Sequence, residues 1–294
     1  MANNTDNKHR KSGLGAKASR RLSNGVIYAI LILITLVWLF PFAGIVMESF
    51  KVNTRAMDGE FWPEKFGFDN YIRLFTETDF LKWFKNTAIM GIATAVFQTV
   101  FVLMMSYTLS RLRFKGRKSL MNFMLILGMF PGMLGMIILY NVLKDLGMTQ
   151  ANAVPGLILV NIASSGMGYY VSKGFFDTIP KSLDEAARID GATRFYILRK
   201  VILPLAKPIV IYTILTAFMG PWGDFVFARY ISMNNIDGMN VAVGLFSWLN
   251  LDQINNNYTM FCAGGVLVAL PVTLLFMFLQ KYYVEGVTGG AVKG

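Results

Sequence analysis

The chain has 294 residues, of which 54% are hydrophobic, and a formal net charge of +11. This hydrophobic share is too high for a soluble domain of that length and indicates several membrane spans. The basic residues cluster beside apolar runs instead of forming a face interleaved with aromatic residues, which argues against nucleic-acid binding. The single cysteine, Cys262, excludes an intrachain disulfide and a CxxC metal site.

The chain begins with a basic tail, a first membrane helix and a loop. Residues 1–25 are polar and basic, and we expect a disordered cytoplasmic tail that keeps the amino terminus inside. Residues 26–47 are apolar, long enough to cross a bilayer and longer than a signal-peptide core, so they are predicted to be a retained span. Residues 48–85 carry mixed charge and many aromatic side chains, as expected of an extracytoplasmic loop.

Five more apolar runs indicate a membrane domain at residues 86–281. The predicted spans are residues 87–109, 120–143, 154–176, 203–222 and 258–279. Asn86 is expected to cap the first of these helices, and glycines with Pro131 are expected to break the second.

The loops between these runs set the predicted orientation. The basic cluster at residues 111–118 contains no acid and is placed inside, whereas the Asn-rich and aromatic loop at residues 223–257 is placed outside. A glycine-rich tail at residues 282–294 then lies inside. The prediction is an all-α membrane protein of six transmembrane helices with both termini cytoplasmic.

The densest charged helical segment is residues 182–204, SLDEAARIDGATRFYILRKVILP. Ser182 and Glu185 have the spacing of a capping box, and Gly191 is expected to end this first helix. Thr193 is expected to cap a second helix. The predicted buried face of that second helix consists of Phe195, Leu198, Val201 and Ile202.

Two interpretations of this cytoplasmic segment are open. It could be an amphipathic helix that lies in the lipid headgroup layer. Against this, Ala186 and Ala187 form a small face suited to close approach by another protein, and an anionic leaflet would repel Glu185 and Asp190. A docking helix is therefore favoured.

The chain lacks the residues that several other functions need. It has no phosphate-binding loop, so it is not expected to hydrolyse ATP by itself. No Asp or Glu lies in the middle of a predicted span, which weakens an ion-coupled carrier, although sodium sites built from carbonyl groups would escape this test. With one cysteine and with His9 as the only histidine, in the tail, no catalytic or metal-ligating constellation can be assembled.

The segment resembles the EAA signature of binding-protein-dependent ABC importer permeases. The matching residues are Glu185-Ala186-Ala187, Gly191 and Leu203-Pro204, with Val201 in the place of an isoleucine. The resemblance implies a type I ABC importer permease fold in which the cytoplasmic loop 177–203 docks on an ATP-binding subunit. It implies an ATPase-coupling role for Glu185, Ala186, Ala187, Asp190, Gly191, Leu203 and Pro204.

The carboxy terminus resembles that of sugar-importer permeases, in particular the smaller permease of maltose and maltodextrin systems. The resemblance rests on the ending EGVTGGAVKG. It implies that the tail contacts the ATPases, in contrast to a floppy tail. The residues concerned are Gly286, Thr288, Gly290, Lys293 and Gly294.

The resemblance implies oligosaccharide import, with maltose or maltodextrin first, by alternating access driven by partner ATPases. The implied partners are a second homologous permease, two ABC ATPase subunits that bind ATP and Mg, an extracytoplasmic sugar-binding protein and membrane lipids; no cofactor is expected on this chain. Candidate contacts to the sugar path or to the binding protein are Asn161, Ser164, Phe246 and Trp248. The aromatic pair also suits an interfacial belt. The alternatives are another oligosaccharide, a glycerol-phosphate-type solute, an ion-coupled carrier or an assembly protein.

Overall fold

The computed structural model describes residues 6–52, 61–62, 65–129, 132–164, 168–250 and 253–291. Within these residues the chain is helical, and an isolated antiparallel bridge joins Lys51 to Phe66. The prediction of an all-α protein is therefore confirmed for the part of the chain that is described.

The amino-terminal part contains two long helices and a short one. Helix α1 is Asp6–Ser49, α2 is Asp69–Thr76 and α3 is Phe80–Arg111. The prediction of a disordered tail is wrong for residues 6–25, because α1 extends upstream of the apolar run. Once a helix has formed, each further residue adds one backbone hydrogen bond, so extension costs little.

Helix α3 begins six residues before the predicted cap at Asn86. Its N-cap residue is Asp79, and Asn86 lies inside the helix. The prediction that Asn86 is a helix cap is therefore wrong. The buried aromatic side chains of Phe80 and Trp83 extend the helix upstream, because they pack into the core from its first turn.

The middle of the chain consists of four shorter helices. They are α4 Arg117–Gly128, α5 Gly132–Asp145, α6 Ala153–Ala163 and α7 Tyr169–Thr178. The predicted break in the span at residues 120–143 is confirmed between α4 and α5. The span at residues 154–176 was predicted to be continuous, but α6 ends at Ala163 and α7 begins at Tyr169, so it is broken too.

The charged segment and the next span form a bent series. Its elements are α8 Ser182–Ile189, α9 Arg194–Ile197, a π-helix Leu198–Ile202, α10 Leu203–Leu205 and α11 Lys207–Gly223. The stretch Arg194–Leu205 meets Lys207–Gly223 at 87°. The bend falls inside the predicted fifth span, residues 203–222, and the start of that span stays a prediction.

The last third of the chain contains three helices. They are α12 Val226–Ser232, α13 Val241–Ser247 and α14 Ile254–Ala291. The predicted loop at residues 223–257 thus has helical structure of its own. Helix α14 continues past the predicted end of the sixth span into the glycine-rich tail.

Three helical stretches in the described part of the chain are long and apolar enough to cross a membrane. They are Ser23–Ser49, Phe80–Arg111 and Ile254–Tyr282, and two bent helix pairs raise the number to five if each pair is one span. The count of six and the orientation of the termini stay predictions.

Two buried clusters hold the helices together. The aromatic core includes Trp83, Trp222 and Trp248, and joins the start of α3 to α6 and to α11–α14. The second cluster, here the loop core, joins the end of α3 to the charged segment. It consists of Leu103, Tyr107, Phe176, Ile179, Ile197, Leu198, Ile202, Ala206 and Ile209. The charged segment is therefore packed against the end of a long apolar helix.

Candidate functional site

Helix α8 begins without the predicted capping box. Its N-cap residue, Lys181, has right-handed helical backbone angles and makes no side-chain cap hydrogen bond. The amide N–H of Leu183 donates to the carbonyl of Pro180 at 3.3 Å, and those of Asp184 and Glu185 donate to the carbonyl of Lys181 at 3.0 and 3.1 Å. The prediction is wrong because backbone carbonyls already satisfy these donors, which leaves the Glu185 side chain exposed.

Helix α8 ends in a Schellman motif, which confirms the predicted helix end at Gly191. Gly191 has φ +81°, in the left-handed region. The N–H of Ala192 donates to the carbonyl of Ala187 at 2.9 Å, and the N–H of Gly191 donates to that of Arg188 at 3.0 Å. A Cβ on Gly191 would meet no atom within 4 Å, so its backbone conformation and not crowding requires glycine.

Helix α9 begins at the predicted cap, but its buried face is shifted. The hydroxyl oxygen of Thr193 accepts a hydrogen bond from the N–H of Tyr196 at 3.2 Å, which confirms the cap. Leu198 and Ile202 are buried, whereas Phe195 is 67% exposed and Ile197 is buried in its place. The prediction for Phe195 is wrong because the π-helix that follows alters the spacing at which side chains meet the core.

A buried ion pair ties α8 to the end of α3. Arg111 Nε lies 3.1 Å from Asp184 Oδ2, and the two side chains are 1% and 5% exposed. Arg111 Nη2 donates to the carbonyl of Ile179 at 2.9 Å. The Nε contact is an ion pair by distance but lacks the geometry of a hydrogen bond. Sequence analysis missed this pair, because nothing local to either residue marks it as buried.

Two further hydrogen bonds connect the end of α3 to neighbouring elements, and a third lies within α7 and holds the carboxylate that one of them reaches. Ser110 donates to a carboxylate oxygen of Asp177 at 2.6 Å, and Lys173 donates to its other oxygen. The hydroxyl of Tyr107 donates to the carbonyl of Arg194 at 3.3 Å. The end of α3 therefore contacts α7, α8 and α9 at once, and a displacement of α8 would be felt along α3.

The predicted coupling residues divide between an exposed face and a supporting face. Glu185, Ala186 and Asp190 are exposed, while Ala187 is half-buried against the loop core. Ile189, which sequence analysis did not single out, lies on the exposed face and is 87% exposed. Ile189 thus adds an apolar side chain to the exposed polar residues of α8.

The remaining predicted coupling residues lie away from that face. Gly191 is exposed in the turn after α8. Leu203 packs against the loop core, and Pro204 is exposed within α10, just before the 87° bend. We call the exposed residues Glu185, Ala186, Ile189 and Asp190 the docking face, after the role predicted for this segment, and the other positions its support.

The predicted tail contacts fall partly outside the described residues. Gly286, Thr288 and Gly290 lie in the last part of α14, whereas Lys293 and Gly294 lie outside the described chain. The helical state of residues 286–290 differs from the floppy tail considered as an alternative.

The polar candidates for the sugar path lie beside the break between α6 and α7. The Asn161 amide donates to the carbonyl of Leu157 at 2.9 Å, and the Ser164 hydroxyl donates to the carbonyl of Asn161 at 3.0 Å. Each side chain thus donates a hydrogen bond to the backbone of its own helix. The side-chain oxygen of each remains available to accept a further hydrogen bond.

The aromatic candidates have different surroundings. Phe246 is partly exposed, with its ring centroid 4.2 Å from that of Phe225. Trp248 is 7% exposed and packs on Trp83 at 5.5 Å between ring centroids. In this conformation the ring of Trp248 is buried in the aromatic core, and its contact with the sugar or with the binding protein stays a prediction.

Hydrogen bonds fix the region after α11 to the start of α3. The Asn86 amide donates to the carbonyls of Asp237 and Met239 at 2.9 Å each, and the hydroxyl of Thr87 accepts from the N–H of Val241 at 2.8 Å. Burial raises the pKa of Asp224 above its ordinary value, although the N–H groups of Ala228 and Phe227 oppose the shift. This region is therefore an ordered surface that hydrogen bonds hold against α3.

Comparison with known proteins identifies the family. The profile of the binding-protein-dependent transport system inner membrane component matches residues 103–289. The chain belongs to this family. The match includes the end of α3, the whole charged segment and most of α14.

Relatives and a solved structure agree with this assignment. The maltodextrin transport system permease protein MdxG of Bacillus subtilis is 34% identical over 281 residues, covering 96% of this chain and 100% of that protein. The galactooligosaccharides transport system permease protein GanQ of the same organism is 34% identical, covering 91% and 94%. A chain of a bacterial ABC transporter for import of the acidic polysaccharide alginate is 25% identical with a TM-score of 0.75, covering 90% and 98%.

These comparisons establish the fold and the class of membrane protein to which the chain belongs. The fold is that of a type I ABC importer permease, and the chain is a membrane permease subunit and not an enzyme. Its apolar helices agree with an inner membrane component.

Proposed function

We propose that this chain is the membrane-spanning permease of an ATP-driven importer for oligosaccharides, with maltodextrins as the first substrate class. The observation that carries the proposal is the full-length likeness to a maltodextrin permease. The EAA segment supports it, because a helix held to the end of α3 by a buried ion pair presents the docking face.

In this proposal the chain works within an assembly in the cytoplasmic membrane. It crosses the membrane six times with both termini in the cytoplasm. It pairs with a second homologous permease, two ABC ATPase subunits and an extracytoplasmic sugar-binding protein. ATP and Mg belong to the ATPases, and this chain needs no cofactor of its own.

Energy enters through the docking face. Nucleotide-driven closure of the ATPases moves α8, and the Arg111–Asp184 pair with the loop core passes that movement to α3 and α11. ATP and the docked binding protein must both favour the outward-open state, because a ligand shifts an equilibrium only by its difference in affinity for the two states. The tail at the end of α14 adds a second ATPase contact.

Three of the four residues predicted to contact the sugar path or the binding protein are kept in this proposal. Asn161 and Ser164 lie beside the break between α6 and α7, where non-helical backbone is tolerated if it lines a cavity. Phe246 supplies a partly exposed ring that suits stacking on a saccharide or contact with the binding protein.

The substrate is tested by uptake in cells that lack the gene. Cells complemented with the wild-type chain are expected to accumulate radiolabelled maltodextrins, and cells that carry Glu185→Lys are expected to lose uptake while the protein still inserts into the membrane. Galacto-oligosaccharides are the second candidate, because a permease for them is equally identical in sequence. Preferential uptake of labelled galacto-oligosaccharide would replace the first substrate class, and uptake of neither would contradict the proposal.

A further inference from the structure

A basic and apolar pocket at the start of α4 has no part in the function proposed above. Its volume is about 590 Å³. Arg113, Arg117 and Lys118 line it together with Phe114 and Met121. The pocket therefore combines three cations with an apolar wall.

The cations of this pocket lack partners in the described chain. Among the described residues, Arg113, Arg117 and Lys118 form no ion pair or side-chain hydrogen bond. A second cleft of about 410 Å³ shares Arg113 and Arg117 and reaches Arg111. The side chain of Arg111 is only 1% exposed, and its Nη1 has no hydrogen-bond partner among the described residues. Arg111 is already paired with Asp184, which lines this cleft together with Glu185. The positive charge without a direct partner in the described chain is therefore that of Arg113, Arg117 and Lys118, and it favours an anionic occupant.

The backbone adds a further attraction for an anion at the same place. Helix α4 has twelve residues, and its N-cap is Gly116 at φ +86° without a side-chain cap. Gly116 and Ser119 line the pocket as well. The uncapped N–H groups and the positive end of the helix dipole therefore point to the site that the basic side chains surround.

The apolar side of the pocket continues along α4. No residue of α4 is buried in the described structure. Phe123 and Ile126 on this helix are both 57% exposed, and Phe114 is exposed at the pocket. A free anion would pair with the cations but leave this apolar surface uncovered, whereas a lipid covers both.

We propose that the pocket binds an anionic phospholipid. The phosphate lies between Arg113, Arg117 and Lys118, and the acyl chains lie along α4 toward Phe123. Arginine suits this role because its planar guanidinium binds phosphate oxygens with two parallel hydrogen bonds.

The test measures lipid retention by the full-length chain together with its co-purifying subunits. Native mass spectrometry after purification compares binding of phosphatidylglycerol with binding of phosphatidylethanolamine. Arg113→Gln/Arg117→Gln is the test variant, and Arg199→Gln/Lys200→Gln is the matched control, because it removes two exposed cations from the charged segment and neither residue lines the pocket. Arg113→Lys/Arg117→Lys keeps the charge and shows whether the site is still folded.

The proposal predicts selective loss in the test variant. Each basic residue near an anionic leaflet contributes roughly fivefold in affinity, so Arg113→Gln/Arg117→Gln is expected to weaken phosphatidylglycerol binding about 30-fold. The control is expected to retain most of it. The lysine variant keeps the charge but loses the paired guanidinium hydrogen bonds, so it is expected to bind more tightly than the glutamine variant and less tightly than the wild type. Equal loss in the control would reduce the effect to general charge and overturn the site. Full competition by millimolar inorganic phosphate would overturn the lipid as its occupant.

Discussion

The buried pair Arg111–Asp184 makes a sharp prediction about how firmly α8 is held. Replacing Arg111 with Met leaves the Asp184 carboxylate buried without a counter-charge. Removing one member of a buried ion pair costs about 3–5 kcal/mol. The helix that carries the docking face should therefore open far more often, while the membrane helices stay folded.

The assay is hydrogen exchange of the backbone amides in residues 182–192. If these amides exchange by local opening, Arg111→Met is expected to speed exchange by about two to nearly four orders of magnitude. Arg199→Met is the control, because it removes the same charge from a residue that is exposed on the π-helix.

A double variant separates the buried charge from lost packing. Three polar atoms, Arg111 Nε, Arg111 Nη1 and Asp184 Oδ1, have no hydrogen-bond partner among the described residues, so the pair is incompletely satisfied. Replacing both residues with apolar side chains is often neutral or stabilising. Arg111→Met/Asp184→Leu is thus expected to recover at least half of the lost protection. Exchange in Arg111→Met equal to that in Arg199→Met would refute the reasoning.

Three further predictions concern glycines and a buried amide. Gly191→Ala is expected to destabilise the α8 turn by about 1–2 kcal/mol through its positive φ, measured by the same amide exchange, whereas Gly174→Ala, a helical glycine with open space around it, is expected to have no such effect. Gly244→Ala is expected to lower the thermal unfolding midpoint in detergent, because its Cβ would overlap the indole of Trp83 and overpacking costs about 1–3 kcal/mol; Gly265→Ala on α14 is the control, and equal midpoints would contradict the close approach. Asn240→Ala is expected to lower the free energy of unfolding by at least about 2 kcal/mol. The Asn240 amide donates to the carbonyls of Pro221 and Asp224, and its oxygen caps α13 by accepting from the N–H of Val243. The control Asn250→Ala, at an exposed residue, should change stability little.

Features that depend on local chemistry could be predicted from the sequence. Gly191 ends α8 because few other residues adopt a left-handed conformation, and Thr193 caps the next helix because its hydroxyl reaches a free N–H. The break in the span at residues 120–143 follows from glycine and proline. These outcomes are set within a few residues of the chain.

Features that depend on distant contacts could not be predicted. Asn86 looked like a cap, but the aromatic core extends α3 upstream of it. Trp248 looked available for a sugar, but Trp83 from another part of the chain covers its ring. The burial of Asp184 depends on Arg111, and the exposure of Phe195 depends on a π-helix that no local pattern marks. In each case tertiary packing decides which side of an element is buried.

The docking face is proposed to contact an ATPase subunit and not the lipid headgroup layer. A photoreactive benzoylphenylalanine at Ile189 tests it, because this side chain is 87% exposed in the middle of that face. The control places the same group at Phe97, which is exposed on the apolar surface of α3. On illumination of membranes that contain the assembly, the account predicts a covalent adduct with an ATPase subunit from Ile189 and none from Phe97. Lipid adducts alone from Ile189, in membranes where the ATPase still co-purifies with the chain, would contradict it.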